Sequence, residues 1–356
     1  MSSAKQSTLL TQSSPNIDLR QVAEIADNYY GLRGDIKPLP GERDANFRLR
    51  VSPKQQYMLR FINTAEAPVE VAFQTELLRY LEVHAAELPI PKLVPSLGGD
   101  YQPIILQDDL SYCLRIVTYL EGTPLHLHQG NPLLAYDLGE VLAKLDLALA
   151  EFSHPGAKRD LLWDITYPQR LLDQIDCLQD QPLAKLVLSV IDRHTHQVLP
   201  KLDSLPWQVS HNDLNPHNVL VSSDQQSISG IIDFGDALYV PRVNNLATAL
   251  SYQWVDGKDP FGCVRPFIAA YLKHQPLTPQ ELSLLPVLIA TRMCLTLLIT
   301  SWRATLYPEN RAYIMRNFAL AKRSLESLSL LPNDWIEDLL PTTTTTIHGA
   351  NHGRSC

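Results

Sequence analysis

The sequence is poor in cysteine and has no excess of positive charge, and both shortages exclude classes of protein. Its 356 residues include five cysteines, none of them in a C-x-x-C pair. An odd number of scattered cysteines favours reduced thiols in a cytoplasm over a disulfide framework or a zinc site. The net charge of -8 argues against a nucleic-acid partner and against binding to an anionic membrane surface. We therefore expect a cytoplasmic protein with neither partner.

Long apolar runs are almost as scarce. Residues 1–15 are rich in Ser, Gln and Thr and lack the apolar run of a signal peptide. Residues 282–300 form one strongly apolar stretch, with Pro286 near its start and Arg292 near its middle. An arginine at the centre of a bilayer costs about 2.5–3.5 kcal/mol. This stretch is therefore interpreted as a buried helix of a large lobe rather than a membrane span.

The order of strand-like and helix-like segments predicts an α+β protein of two lobes. After an amphipathic helix that starts at Asp18 and stops at Gly31, the sequence predicts an antiparallel sheet of about five strands and one long helix. From residue 125 the pattern is mainly helical. We expect a first lobe over 17–119, a hinge over 120–124, a second lobe over 125–341, and disordered tails over 1–16 and 342–356.

The segments themselves are placed by periodicity and by turn residues. Strands are predicted at 36–39, 46–51, 57–62, 103–107, 113–119 and in short pieces over 207–233. Helices are predicted at 68–84, 133–152, 169–177, 183–199, 243–254, 261–274, 279–304 and 309–328.

Two motifs in the second lobe point to phosphoryl transfer. Residues 211–218 fit H-x-D-x-x-x-x-N, and Asp233 begins a D-F-G sequence fifteen residues later. In this pairing Asp213 acts as the base for the accepting hydroxyl, while Asn218 and Asp233 bind Mg²⁺ on the nucleotide phosphates. His211 is expected to pack under the loop and to bond to the backbone. Asp213 alone could equally form an Asx-turn, but the two motifs in order favour catalysis.

A kinase also needs positive charge on the phosphates, which makes the first lobe the nucleotide-binding lobe. Arg60 lies on the third predicted strand, where the phosphoryl-transfer template has a lysine, and Glu76 on the next helix is its predicted partner. An arginine can bind phosphate through a bidentate fork. The alternative is that both side chains are solvated surface residues.

The remaining nucleotide contacts are predicted from position. The turn over 40–46 should cover the phosphates and offers Gly41 and Asn46, although a plain hairpin turn fits it as well. In the connector, Tyr119 and Glu121 belong to a segment whose backbone could meet the base edge of a nucleotide.

No activation segment and no A-P-E sequence follow Gly235, and Asn212 stands where protein kinases have an arginine. Both absences favour a small acceptor over a protein substrate. An ammonium group on the acceptor would need carboxylates or aromatic faces, and an amino-acid carboxylate would need arginine. The candidates are Asp236, Asp164, Trp163, Glu309 and Trp302 for the first and Arg242, Arg292 and Arg303 for the second. A buried arginine paired with a structural carboxylate is the alternative for Arg292.

Taken together, these residues resemble the aminoglycoside phosphotransferase/choline kinase superfamily, and within it the hydroxylysine kinase-like branch. The resemblance spans about residues 20–330 and rests on Asn46-Phe47, Leu59-Arg60, Glu76, 89–91, 119–122, 211–218, 230–237 and 271–281. One position departs from the pattern. The superfamily usually has Asp-Leu-Ala after the second metal ligand, and this chain has Asn245-Leu246-Ala247.

The resemblance implies a bilobal protein kinase-like fold that transfers a γ-phosphate from ATP or GTP, with Mg²⁺, to a small hydroxyl acceptor. The implied acceptor is an amino alcohol or a hydroxy-amino acid similar to hydroxylysine, and the branch suggests a pathway link to a pyridoxal-phosphate phospho-lyase. Two alternatives stay open. One is a phosphotransferase for homoserine, choline, a sugar or an aminoglycoside, and the other is a nucleotide-binding pseudokinase scaffold.

Overall fold

A computed structural model describes residues 15–41, 44–107, 110–255, 259–332 and 334–340. Apart from residues 15 and 16, the predicted disordered tails lie outside this part of the chain. So do residues 42 and 43 of the predicted phosphate turn, and 108 and 109 between the last two predicted strands.

The first helix begins and ends where the sequence predicts. Helix α1 (Leu19–Tyr30) starts with a capping box in which the Asp18 carboxylate accepts hydrogen bonds from the backbone N–H groups of Arg20 and Gln21. Gly31 ends it at φ 64°, a left-handed conformation that glycine adopts without strain. The buried face of α1 then packs on the sheet of the first lobe.

That sheet has six antiparallel strands rather than about five. Its order is β1-β2-β3-β6-β4, with β5 paired to the other part of β6. The extra strand, β4, is only two residues long and too short to show a period. The elements of this lobe are β1 (Asp35–Leu39), β2 (Ala45–Ser52), β3 (Gln55–Ile62), α2 (Pro68–His84), β4 (Leu93–Val94), β5 (Ile104–Gln107) and β6 (Leu110–Thr118).

Apart from a small cluster of Leu161, Leu238 and Val240, the buried apolar residues of the described chain form two cores. The smaller lies between α1 and the sheet, where Phe61 makes edge contacts with Phe47 and Tyr112. The larger begins on α2, at Phe73 and Leu77, and continues through the whole second lobe. Helix α2 therefore belongs to the sheet lobe by sequence and to the helical lobe by packing.

The predicted hinge over 120–124 ends in a short strand. Strand β7 (Thr123–Pro124) pairs with β9 (Val219–Val221) of the second lobe. Just before it, Gly122 has φ 149°, and a Cβ there would lie 2.4 Å from Ser229 Oγ and 2.7 Å from the carbonyl oxygen of Val221. Only glycine fits this close approach between the connector and the second lobe.

The second lobe has the predicted order of elements with three differences, and the first is the unpredicted strand β11 (Leu238–Pro241). Residues Pro168–Cys177 form 3-10 helix instead of α-helix, and the last predicted helix is broken by 3-10 turns into α8 and α9. The elements are α3 (Pro132–Leu149), α4 (Gln181–Gln197), β8 (Trp207–Ser210), β9 (Val219–Val221), β10 (Ile228–Ile231), β11 (Leu238–Pro241), α5 (Arg242–Leu250), α6 (Val264–His274), α7 (Pro279–Leu306), α8 (Arg311–Ile314) and α9 (Phe318–Leu328).

Helix α7 is the apolar stretch noted in the sequence. It is long and apolar enough to cross a membrane, yet 83% of its most apolar window is buried inside the protein. A capping box of Thr278 and Glu281 starts it, and the chain tolerates Pro286 inside it. The helix is buried in the second lobe, and it places Arg292 in the protein interior.

Candidate active site

The loop between β8 and β9 is built by its own short polar side chains. Asn215 accepts a hydrogen bond from the His217 N–H through its side chain, and its own N–H donates to the carbonyl of Asp213 at 2.8 Å. His211 is buried, faces Phe234 and lies 3.1 Å from the carbonyl oxygen of Ile232. His211 thus supports the loop from below, as the sequence predicts.

Asp213 lies at the centre of this loop and is held through both carboxylate oxygens. One oxygen, Oδ2, accepts from the side-chain amides of Asn215 at 2.9 Å and Asn218 at 2.8 Å. The other, Oδ1, accepts from the Arg292 guanidinium at 2.7 Å. A carboxylate with a fixed orientation and partial exposure is what a base for a substrate hydroxyl requires.

Arg292 reaches Asp213 from the middle of α7. Its side chain is buried, its Nη1 donates to the carbonyl of Trp163, and its Nη2 donates to both Asp213 and the hydroxyl of Tyr252. The guanidinium carbon also lies 4.8 Å from the centre of the Trp163 ring, within cation–π range. Of the two interpretations of Arg292, the contacts match the second: a buried arginine paired with a carboxylate, which here is the predicted base.

The charges around Asp213 act in opposite directions on its pKa. Burial raises the pKa of Asp213 to about 7, and the nearby carboxylates of Asp236 and Asp233 add to the rise, while Arg292 opposes it. Asp236, a predicted substrate residue, thus lies close enough to Asp213 and Arg292 to affect both. The main electrostatic feature of the loop is therefore the set of carboxylates, Asp213, Asp233 and Asp236, close to the buried Arg292.

The two predicted metal ligands lie side by side. The Ile232 N–H donates to the carbonyl of Asn218 at 2.9 Å, which brings Asn218 next to Asp233. Asn218 uses its amide nitrogen on Asp213, so its amide oxygen is the atom that would bind a metal ion. Asp233 has φ 62° and an exposed carboxylate. One amide oxygen and one carboxylate fit Mg²⁺, which keeps its waters and binds phosphates as well.

The predicted Arg60–Glu76 pair is wrong. Arg60 instead contacts Asp233 at 3.2 Å and Asp44 at 3.5 Å, while Glu76 is exposed and pairs with Arg79 on its own helix. The prediction placed Glu76 on the wrong face of α2. Arg60 does lie on the third strand, β3, and its guanidinium is beside Asp233, the predicted metal ligand.

Two arginines that the sequence did not single out anchor α2. Arg115 on β6 is buried and donates to side chains of Gln74 and Thr75 at 2.9 Å. Arg159, in the second lobe, contacts Glu70 at 3.2 Å and donates to the carbonyl oxygens of Gly235 and Ala237. No local pattern marks either residue, because their partners are 40 or more residues away.

The other residues predicted to contact the nucleotide lie on β2, in the turn before it and in the connector. Asn46 lies opposite Arg60 on β2, and a Cβ on Gly41 would lie 2.5 Å from the Asn46 amide nitrogen. The Tyr119 ring lies under the Arg48 guanidinium, 4.5 Å from its carbon, and Glu121 accepts a 2.6 Å hydrogen bond from Gln56. These positions line the edge of the sheet and the connector, and their nucleotide roles stay predictions.

The remaining substrate candidates do not converge on Asp213. Arg303 is eleven residues beyond Arg292 on α7, about 16 Å along the axis at 1.5 Å per residue, and Trp302 is beside it. Arg242 is occupied by a buried ion pair with Glu281 at 2.7 Å. Asp164 is buried and caps the Thr166 N–H, and Glu309 is exposed in the turn after α7.

Comparison with known families identifies the fold and the reaction class. The model of the phosphotransferase enzyme family (APH) matches residues 35–285. The chain belongs to this family. Curated relatives named hydroxylysine kinase match it along nearly its whole length. The protein from Danio rerio is 29% identical, covering 92% of this chain and 95% of the relative, and the one from Bos taurus is 26% identical, covering 94% and 95%.

Solved structures confirm the bilobal kinase-like fold. A microcompartment-associated aminopropanol kinase superposes with a TM-score of 0.65 at 19% identity, covering 88% of this chain and 99% of that one. An amicoumacin kinase in complex with AMP-PNP and Ca²⁺ superposes with a TM-score of 0.66 at 17% identity, covering 90% and 97%. The chain is therefore a small-molecule kinase of the phosphotransferase enzyme family that acts on a hydroxyl group, and it is similar to the curated hydroxylysine kinases.

Proposed function

We propose that this kinase transfers the γ-phosphate of ATP or GTP, with Mg²⁺, to the hydroxyl of an amino alcohol or a hydroxy-amino acid similar to hydroxylysine. The observation that supports it is the Asp213 carboxylate, oriented by Arg292 and Asn218 beside the Asn218–Asp233 pair. The acceptor class follows from the curated relatives, which match this chain over nearly its full length.

In the proposed step Asp213 accepts a hydrogen bond from the acceptor hydroxyl and aims its oxygen at the γ-phosphorus. A bond forms between that oxygen and the phosphorus, the bond to the bridging oxygen of the nucleotide breaks, and the proton passes to Asp213 and then to solvent. Arg292 favours the ionised form of Asp213 and holds the orientation of its carboxylate. Asn218 and Asp233 would hold Mg²⁺, which supplies charge neutralisation on the phosphates when bound. Arg60 lies where it can add positive charge.

The deciding experiment measures nucleotide consumption with Mg²⁺ and either ATP or GTP over a panel of acceptors. The panel holds hydroxylysine, its decarboxylated amine, homoserine, choline, a sugar and an aminoglycoside, with product identified by ³¹P NMR. We expect turnover with hydroxylysine or a simple amino alcohol, reduced by about 10³-fold or more in Asp213→Ala.

Asp224→Ala is the matched control, since Asp224 is an exposed aspartate whose hydrogen bonds lie within its own turn between β9 and β10. Turnover confined to a sugar or an aminoglycoside would replace the proposed acceptor class, and turnover confined to choline or homoserine would replace hydroxylysine as the acceptor. Tight nucleotide binding without turnover on any acceptor would favour the scaffold alternative. The cytoplasmic location, the lack of nucleic-acid and membrane partners, and the link to a phospho-lyase stay predictions.

A further inference from the structure

A buried chain of hydrogen bonds runs from α6 through α3 and α5 to the catalytic loop. The Tyr271 hydroxyl donates to Asp146 Oδ2 at 2.8 Å, and Asn245 Nδ2 donates to Asp146 Oδ1 at 2.7 Å. Asn245 Oδ1 then accepts from the backbone N–H of Asn212 at 2.9 Å. Asp146, Asn212 and Asn245 are each 0% exposed.

The direction of these bonds is fixed by chemistry. A backbone N–H can only donate, so Asn245 must turn its oxygen toward Asn212 and its amide nitrogen toward α3. That nitrogen then needs an acceptor with no competing proton, which the Asp146 carboxylate provides. Asn245 is thus an amide relay between a carboxylate on one helix and the residue just before Asp213.

The residue at the end of the relay has a conformation that needs support. Asn212 has φ 63°, a left-handed backbone that asparagine tolerates better than most residues but that still has a conformational cost. This backbone turn sets the direction in which the following residue, Asp213, leaves the strand. The bond from the Asn212 N–H to Asn245 is the contact that holds it from the interior.

We propose that Asp146, acting through Asn245, is a positioning residue for Asp213. The carboxylate that the superfamily usually has at position 245 is supplied here by α3, one hydrogen bond further from the loop. The inference rests on the proposed kinase reaction, in which Asp213 must meet the acceptor hydroxyl. The charged and titratable groups that face Asp146 are Tyr271 from α6 and Arg242 from α5.

The proposal makes a reciprocal exchange possible. In the double variant Asp146→Asn with Asn245→Asp, each bond keeps a donor and an acceptor: the Asn212 N–H donates to the new carboxylate, the new amide donates to it as well, and Tyr271 donates to the amide oxygen. The single variant Asn245→Asp instead places two carboxylates about 2.7 Å apart, close enough that they must share a proton.

The test compares kcat and KM of wild type, the single Asn245→Asp variant and the double variant at about pH 6 and pH 8.5. At the higher pH, where the shared proton is lost, we expect kcat of the single variant to be about tenfold or more below that of wild type. At the lower pH we expect a smaller difference from wild type measured at the same pH. We expect the double variant to return to within about threefold of wild type at both pH values.

Asn244→Ala is the control, because Asn244 is an equally buried amide on α5 that bonds to Thr166 and not to the loop. It should lower the melting temperature with kcat within about twofold of wild type. A single variant with unchanged kcat at both pH values, or a double variant no better than the single one, would refute the relay. If the melting temperature falls in the single variant and recovers in the double variant while kcat stays constant, Asp146 and Asn245 stabilise the fold without positioning Asp213.

A second readout separates this inference from the proposed function. Amide exchange of the peptide covering 210–218 should increase in the single variant at high pH and return in the double variant, whether or not an acceptor is known. Absence of turnover in wild type would contradict the proposed function alone, while unchanged exchange in the single variant would contradict the relay.

Discussion

At the residue scale, the reaction depends on one carboxylate whose surroundings push its pKa in opposite directions. Burial and two neighbouring carboxylates favour the protonated form of Asp213, and Arg292 favours the ionised form. The base must be ionised to accept a proton. We therefore expect the surroundings of Asp213 to determine the pH range in which the proposed reaction proceeds.

The first prediction concerns the pH profile of kcat/KM. With the pKa of Asp213 raised to about 7, activity should fall as the pH drops through about 7, rather than through the ordinary aspartate range near 4. Arg292→Gln removes the opposing charge, so the acid limb should move to higher pH and kcat should fall about tenfold or more. A profile of wild type and variant that coincides after scaling would show that Arg292 does not act on Asp213.

The second prediction concerns the positive charge on the phosphate side. Arg60→Ala removes the contact with Asp233, so we expect the KM for the nucleotide to rise about tenfold or more. Glu76→Gln, on the exposed face of α2, should leave kcat and KM within about twofold. Steady-state kinetics of both variants provide the test. A rise in the nucleotide KM of Glu76→Gln as large as that of Arg60→Ala would instead support the Arg60–Glu76 pair predicted from sequence.

At the element scale, the sequence predicted most helices and strands because their caps and periods are local. The capping residues of α1 and the bounds of α2 are visible in consecutive letters. The partner of Arg60 was mispredicted because it was taken from the kinase template, whereas the shorter of its two real contacts joins it to Asp233, 173 positions away. Arg159 was missed for the same reason, and β4 was missed because two residues carry no period.

The third prediction concerns the start of α7, the helix that holds Arg292. Thr278→Ala removes a side-chain cap and should lower the free energy of unfolding by about 1 kcal/mol. Glu281→Ala also leaves Arg242 without its buried partner, so its cost should be larger, about 3 kcal/mol or more. Urea unfolding measures both, with exposed Gln280→Ala as the control near zero. Equal losses for the two variants would show that the ion pair contributes nothing beyond the cap.

At the scale of the whole molecule, the two lobes meet through α2 as well as through the connector. Arg159 bonds at once to the first turn of α2 and to the backbone that follows Asp233. Residues 155–157 also pack so closely on α2 that a Cβ on Gly156 would lie 2.3 Å from the Val69 carbonyl oxygen. The second lobe therefore holds α2 and the segment that follows Asp233 in one arrangement.

The fourth prediction follows from that arrangement. Arg159→Ala should increase amide exchange in both α2 and residues 233–238, and should raise the KM for the nucleotide, because two lobes lose one shared anchor. Lys158→Ala is the matched control, since the exposed Lys158 only lies over the Tyr239 ring. Increased exchange in one segment alone would mean that Arg159 does not couple them.

The hydrogen bond between Asp146 and Asn245 also constrains which substitutions these two positions can accept during evolution. A carboxylate can move from one helix to the other only if both positions change, because two carboxylates or two misdirected amides would meet in a site closed to water. The two positions should therefore vary together among related chains. Where position 245 is Asp, position 146 should hold a side chain that donates a hydrogen bond, and single changes should be rare intermediates.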